Sequence, residues 1–292
     1  LVGEPHNGLS YMFMMMNEAR IGVGYGAAMI GYRGYRYSLE YAKERLQGRA
    51  APNLAPTDEP SPIIKHGDVR RMLLAQKAYT EGGMALCLYG SYLMDLERVT
   101  TDAEEKKALS QLIDLLTPVF KAWPSEFGPK ANDLAIQILG GAGYTREYPV
   151  EQCWRDNRLN PIHEGTNGIQ ALDLLGRKLW QSNSQGLAVL QQEITKTLKD
   201  ATGKQSASLA SKFAPYLQRM AGLIPEMGAA LQSENQSKTL TNAQCFMNIF
   251  SSCVISWMWL RQAIVAEQAL ANSDISVDHE HFYKGKLAAA QY

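Results

Sequence analysis

The feature that most constrains this chain is the recurrence of apolar residues at three- and four-residue spacing along most of its length. Stretches that alternate apolar and polar residues, as a half-buried strand would, hardly occur. The turn GEPHNGLS ends in Ser10, a candidate helix N-cap, and helix-compatible sequence follows to about Gln47. Gly48 and the proline-rich APNLAPTDEPSP stop it. A second long helix is expected from Ile63 or Lys65 to Val99. A third, capped by Thr101 or Asp102, runs through EEKKALSQLIDLLTPVFKAW. Pro124 and Gly128 are expected to break or kink it before a fourth begins near Pro129 and ends at the glycines of LGGAGY.

Long amphipathic helices joined by short polar loops can bury their apolar stripes only against one another. The expected fold is therefore all-α, an antiparallel four-helix bundle over residues 1–180. The connection TREYPVEQCWRDNRLNPIHEGTNG is long and poor in helix pattern, which favours a functional loop. A short helix from Gly168 closes this unit near Trp180, and QSNSQG reads as a linker. Helical segments at Leu187 to Asp200, Ser206 to Leu231, Thr241 to Ala271 and from near Asp278 suggest a second, smaller helical bundle over residues 181–292, with a core of its own.

Lysine plus arginine (29) equals aspartate plus glutamate (29), so no global field draws nucleic acid or an anionic membrane. Cys87, Cys153, Cys245 and Cys253 form no CxxC pair and are expected as reduced core residues. No secretory signal heads the sequence, and the apolar run FMNIFSSCVISWMWL is interrupted by Asn, Ser and Arg261, against a membrane span. A cytoplasmic location is expected. The chain starts at Leu1 within a glycine turn and stops at KLAAAQY in a helix-forming run, so it reads as part of something longer.

Several clusters have both a structural and a functional reading. QILGGAGY, Gln137 to Tyr144, ends a helix with three glycines in four positions. One would serve as a C-cap; three also let a flat or phosphorylated ligand approach the backbone. Arg155, Asp156 and Arg158 in WRDNR form either a solvated cluster or an internal ion-pair clamp beside a buried tryptophan. The methionine-rich face of MMMNEARIGVGYGAAM reads as core, and Gly22, Gly24 and Gly26 each weaken its helix by about 1 kcal/mol, as if something bulky packs there. His279 and His281 stand at i, i+2 and do not share a helix face, so no metal site is expected. Glu164, in NPIHEGTNG, lies between an apolar residue and a glycine. It is either a turn acid meeting a helix dipole or a carboxylate in an apolar cleft, suited to taking a proton from a weak carbon acid.

QILGGAGYTREYPVEQCWRD followed by IHEGTNGIQ, and preceded by MNEARIGVG, YAKERLQGR and IIKHGDVRRML, resembles the C-terminal domain of the acyl-CoA dehydrogenases in order and spacing. The match covers Leu1 to about Trp180. It implies a flavoenzyme that desaturates an acyl-CoA thioester between its α and β carbons: Glu164 removes the α-proton, and the β-hydrogen leaves as hydride to FAD. In the family the thioester carbonyl is held by a flavin hydroxyl and the backbone N–H of the glutamate, which implies a second role for Glu164 and makes Gly165 part of the substrate site. By the same resemblance, Thr166 contacts the flavin diphosphate. Arg45, Gln137, Gly140 and Gly141 reach the FAD of a neighbouring subunit, and Arg20 lies near the catalytic loop and CoA. Gly168 replaces the glutamine common at its position.

One branch of the family carries its base immediately before that arginine, where this chain has Ala19; Glu18 is turned away by about a hundred degrees. The base therefore falls to Glu164. The segment after Gln181 resembles an extension found in some bacterial members, including those acting on 3-methylmercaptopropionyl-CoA. Family members also have an N-terminal helical domain and a middle β-barrel domain, which this sequence lacks. This chain alone is accordingly expected to bind FAD weakly and to turn over little or nothing. The resemblance further implies an electron-transfer flavoprotein as acceptor and a homo-oligomer, dimer or tetramer. The alternative, a catalytically silent relative serving as an assembly module, is opposed by the intact HEGTNG.

Overall fold

The computed structural model describes residues 3–52 and 55–292, and among them no strand is present; one isolated antiparallel bridge joins Leu46 to Pro62. Three long helices dominate the first half: α1 (Gly8–Glu44), α2 (Gly67–Val99) and α3 (Ala103–Leu139). α1 starts ahead of Ser10, with Asn7 in the capping position and no side-chain cap bond, and ends three residues before Gln47. The Ser10 side chain lies outside the described residues. A single 3-10 turn, Ile63–Lys65, leads into α2. Asp102, not Thr101, caps α3 by accepting the Glu105 N–H at 2.8 Å.

Pro124 and Gly128 do not divide two helices. α3 runs unbroken through Pro118, Pro124 and Pro129. Each proline withholds one N–H from the carbonyl four residues before it. Packing compensates: Leu115, Leu116, Val119, Phe120 and Ala122 are at most 2% exposed, and burial of this stripe outweighs the local loss. Pro124 cannot bond the Phe120 carbonyl, which instead accepts the Cys87 thiol of α2 at 3.7 Å. Burial pushes that thiol well above its ordinary pKa. The same carbonyl abuts Gly24 of α1, so the proline, the glycine and the cysteine of three helices meet at one point.

α2 runs antiparallel to α1: Ser38 donates to Gln76 at 3.1 Å, and Gly83 faces Ala28. α3 runs parallel to α1, with Gly31 against Gly128 and Asn132 donating to the Ile30 carbonyl at 3.0 Å. The C-terminal ends of α1 and α3 therefore lie together. A short α4 (Val150–Asn157) occupies the connection expected to lack helix; its two turns bury only Val150, Cys153 and Asn157, too little to leave a periodic signal. α5 (Asn167–Asp173) continues into a π-turn, Leu174–Lys178.

Beyond the left-handed turn Ser182–Ser184 come α6 (Gln185–Asp200), α7 (Lys204–Leu231), the unforeseen α8 (Gln236–Thr241), α9 (Ala243–Leu270) and α10 (Val277–Gln291). Glu267 of α9 takes up the N-terminus of α7, accepting the Gln205 and Ser206 N–H groups at 2.6 and 2.8 Å. Burial alone would raise its pKa, but these hydrogen bonds and the Ser206 hydroxyl outweigh burial and hold it low.

The second bundle keeps a small cluster of its own, Ala263, Ala266 and Leu287, but most of its core is shared with the first. The largest buried cluster draws on both halves, from Leu86 and Phe120 through Leu174 and Leu179 to Trp257 and Met258. α9 is the joint: the indole N–H of Trp259 donates to the Ala78 carbonyl of α2 at 3.1 Å, and Gly82 leaves room for its ring. By length and composition α9 passes for a membrane span, yet 56% of its most apolar window is buried in this core. Calorimetry of this chain is expected to show one melting transition. Trp259→Phe should lower its unfolding free energy by about 2 kcal/mol, from the lost hydrogen bond and the smaller ring. Two resolved transitions would show separate cores.

Candidate active site

The loop from Arg158 to Thr166 is held by a chain of asparagines. Asn157 of α4 donates to the Ala27 carbonyl at 3.0 Å and to Asn132 of α3 at 2.7 Å, and Asn160 donates to Asn157 at 2.8 Å. Asn157 and Asn132 are fully buried, so each satisfied amide pins α4 to α1 and α3. The Asn167 N–H closes the loop on the Pro161 carbonyl at 3.0 Å.

Within this frame Glu164 adopts φ 55° and Gly165 φ 82°. A left-handed glutamate costs about 1 kcal/mol, a cost retained only where the surroundings impose it. Gln170, fully buried on α5, imposes it: its amide donates to the carbonyls of Glu164 and Gly165 at 3.2 and 3.3 Å. A Cβ at position 165 would come within 2.7 Å of that amide, so glycine is required there on two counts. Among the described residues the Glu164 N–H makes no backbone hydrogen bond. Thr166 caps α5 by accepting the Ile169 N–H at 3.2 Å.

Arg20, 6% exposed, comes from α1 to the same place, with its guanidinium 3.9 Å from Asp173. Arg20 Nε, Asp173 Oδ2 and Gln170 Oε1 are buried without a hydrogen-bond partner, an unusual concentration of unmet polar atoms. Lys121 of α3, fully buried, donates to Asn167 at 3.1 Å. Burial, then Arg20, push its pKa down to about 8, with Glu164 acting in the opposite sense. Glu18 is exposed and pairs with Arg98 at 3.6 Å, and Ala19 is exposed as well.

Arg20, Glu164, Gly165 and Thr166 are thus brought to one region. Arg45, Gln137, Gly140 and Gly141 are not part of it. All four are exposed at the shared C-terminal end of α1 and α3, about 24 Å along α3 from Lys121. Gly140 has φ 60°, and a Cβ at either glycine would meet nothing within 4 Å, so the backbone there is open to a ligand.

Other expectations need correction. Trp154 is 39% exposed, and WRDNR is no internal clamp: Arg155 makes only a surface pair with Glu151 at 3.9 Å. On the methionine face of α1, Met15 and Met29 are 68% and 36% exposed and so are not core, while the Met14 side chain lies outside the described residues. Gly24 meets a backbone carbonyl and no bulky group, while Gly22 and Gly26 face open space. Cys87 and Cys153 are buried, but Cys245 is exposed. Sequence reasoning passed over Lys121, Asn167 and Gln170. Only one signal was available, a lone lysine inside the apolar run LLTPVFKAW.

Residues 6–179 match the acyl-CoA dehydrogenase C-terminal domain model, and residues 190–292 the acetyl-CoA dehydrogenase C-terminal-like model. The chain is 35% identical to the broad-specificity linear acyl-CoA dehydrogenase FadE5 of Mycobacterium tuberculosis, over 100% of this chain and 49% of that protein. It is 34% identical to the 3-methylmercaptopropionyl-CoA dehydrogenase of Ruegeria pomeroyi, over 99% and 48%. It therefore spans about half the length of the curated relatives it matches. Two solved structures share the fold. Caenorhabditis elegans ACDH-11 in complex with C11-CoA has TM-score 0.76 at 15% identity, covering 99% of this chain and 44% of that one. An acyl-CoA dehydrogenase complexed with FAD from Bacillus anthracis has TM-score 0.72 at 21% identity, covering 99% and 50%. A matched family model over more than half of the chain, joined to this arrangement of helices and loop, makes the chain a member of the acyl-CoA dehydrogenase family.

Proposed function

We propose that the protein to which this chain belongs dehydrogenates an acyl-CoA thioester between its α and β carbons, with Glu164 as the base. The observation that carries this reading is the strained, left-handed Glu164, half-buried beside the buried polar Arg20 and Gln170, with its main-chain N–H uncommitted. The thioester carbonyl acidifies the α C–H. The Glu164 N–H, oriented by the Gln170 amide on the adjacent carbonyls, donates to the carbonyl oxygen as negative charge develops there, and the side chain takes the α-proton. Arg20 adds a fixed positive charge beside the loop.

The donor set suits FAD. Thr166 offers a hydroxyl, Arg45 a guanidinium, Gln137 an amide, and Gly140 and Gly141 open backbone. Bound FAD supplies the acceptor for the hydrogen lost from the β-carbon. The separation of Thr166 from the group at the ends of α1 and α3 supports contacts to flavins of different subunits, and hence a homo-oligomer. An electron-transfer flavoprotein is proposed as the onward acceptor, and the isolated 292-residue chain as a weak flavin binder. The test is anaerobic mixing of the family-length flavoprotein with a panel of linear, branched and sulfur-containing acyl-CoAs. Loss of the oxidised flavin absorbance with at least one is expected, and the ranking identifies the substrate. No loss with any would overturn the reading in favour of a silent assembly module.

A further inference from the structure

Lys121 is a costly residue to keep. Its ammonium is fully buried, no carboxylate lies within ion-pair distance among the described residues, and its hydrogen bond is to the neutral Asn167. A buried charge without such a partner opposes folding. The lowered pKa of Lys121 has the same meaning, since the fold disfavours the charged form. A residue retained against stability in contact with a functional loop points to a role in that loop.

The contacts say which role. Asn167 is the first residue of α5, two positions beyond Gly165, and its amide also reaches the Ala122 carbonyl and the Glu126 carboxylate, both at 3.4 Å. Asn167 is thereby fastened to α3 through both ends of its amide, and through its N–H to Pro161 on the near side of Glu164. The charged groups that act on Lys121 are Arg20 from α1 and Glu164 from the loop, while Glu126 of its own helix reaches its partner Asn167 and Asp173 of α5 faces Arg20. Glu126 is drawn off by Lys130 at 3.0 Å and Asp173 by Arg177 at 2.7 Å. That leaves Glu164 as the one acid of the group without an ion-pair partner among the described residues.

We propose that Lys121 is a positioning residue for the Glu164 loop, tying its far end to α3 through Asn167 and setting a positive charge against the carboxylate. The inference rests on Glu164 being the base. Lys121 touches no reacting atom and acts through the loop. Its ammonium is present below about pH 8 and is lost as the pH rises through that value.

The test uses the family-length flavoprotein. Lys121→Met is expected to lower kcat about 100-fold with KM little changed, since a slightly misplaced base costs that much. It should also melt at or above the wild-type temperature and speed amide hydrogen exchange at residues 164–170 but not along α2. Lys121→Arg, which keeps the charge, should recover most of kcat and remove an alkaline fall in kcat near pH 8. Asn167→Ala cuts the same tether from the other side and should loosen the same amides. A Lys121→Met protein that fails to fold, or melts lower with faster exchange throughout, would show a structural lysine and overturn the proposal. Unchanged loop exchange in Asn167→Ala would overturn it too. If Glu164→Gln keeps its turnover while Lys121→Met still loosens the loop, the tether stands and the assignment of the base fails.

Discussion

Glu164→Gln in the family-length flavoprotein is expected to lower kcat by roughly 10³-fold while flavin content and melting temperature stay at wild-type values. Glutamine keeps the shape of the side chain and the main-chain donor but cannot take a proton, and a positioned general base contributes about 10²–10⁴ in rate. The change is close to neutral for folding, because the bonds that hold the loop run from Gln170 to main-chain carbonyls and do not use the Glu164 carboxylate. Steady-state kinetics against the best acyl-CoA of the panel, with flavin absorbance as the loading control, measures both halves. Turnover within tenfold of wild type would remove Glu164 from the mechanism.

Gly24→Ala carries the largest expected effect on stability, a loss of about 3 kcal/mol, although alanine is the better helix former. A Cβ at Gly24 would overlap the Phe120 carbonyl oxygen, a backbone atom with no rotamer to turn aside. α1 and α3 would have to separate, or the Cys87 contact to that carbonyl would have to break. The same substitution at Gly22 or Gly26, where a Cβ meets nothing within 4 Å, is expected to raise stability by about 1 kcal/mol. Denaturant unfolding of the three variants of this chain measures the contrast. A destabilisation shared equally by all three would show that helix packing does not set the sign.

The helices were legible where the pattern was long. Apolar spacing marked α1, α2, α7 and α9, and the pair Thr101 and Asp102 announced the start of α3 without saying which residue caps it. It failed at Pro124, because proline withholds a hydrogen bond in any context, while the burial that offsets the loss comes from α1 and α2, remote in sequence. α4 and α8 are too short for a period to register. The shared core was hidden for another reason: Trp259 reads as one more apolar position until its N–H is seen on the Ala78 carbonyl of α2.

The site divides in the same way. HEGTNG, its order after the glycine turn, and Ala19 before Arg20 are properties of the chain, and together they pointed to Glu164 and to the family. The sequence by itself also determined the all-α class, since helical periodicity with almost no strand pattern leaves apolar stripes nowhere to go except against each other. Only the tertiary structure decided that α1 and α3 run parallel, which gathers Arg45, Gln137, Gly140 and Gly141 at one end and Arg20 and Glu164 far from it. It alone put Glu164 at φ 55° and set Lys121 behind the loop. Periodicity reports which face of a helix is buried. It is silent on which neighbour covers that face, and a left-handed glutamate or a buried lysine exists only because a particular neighbour does.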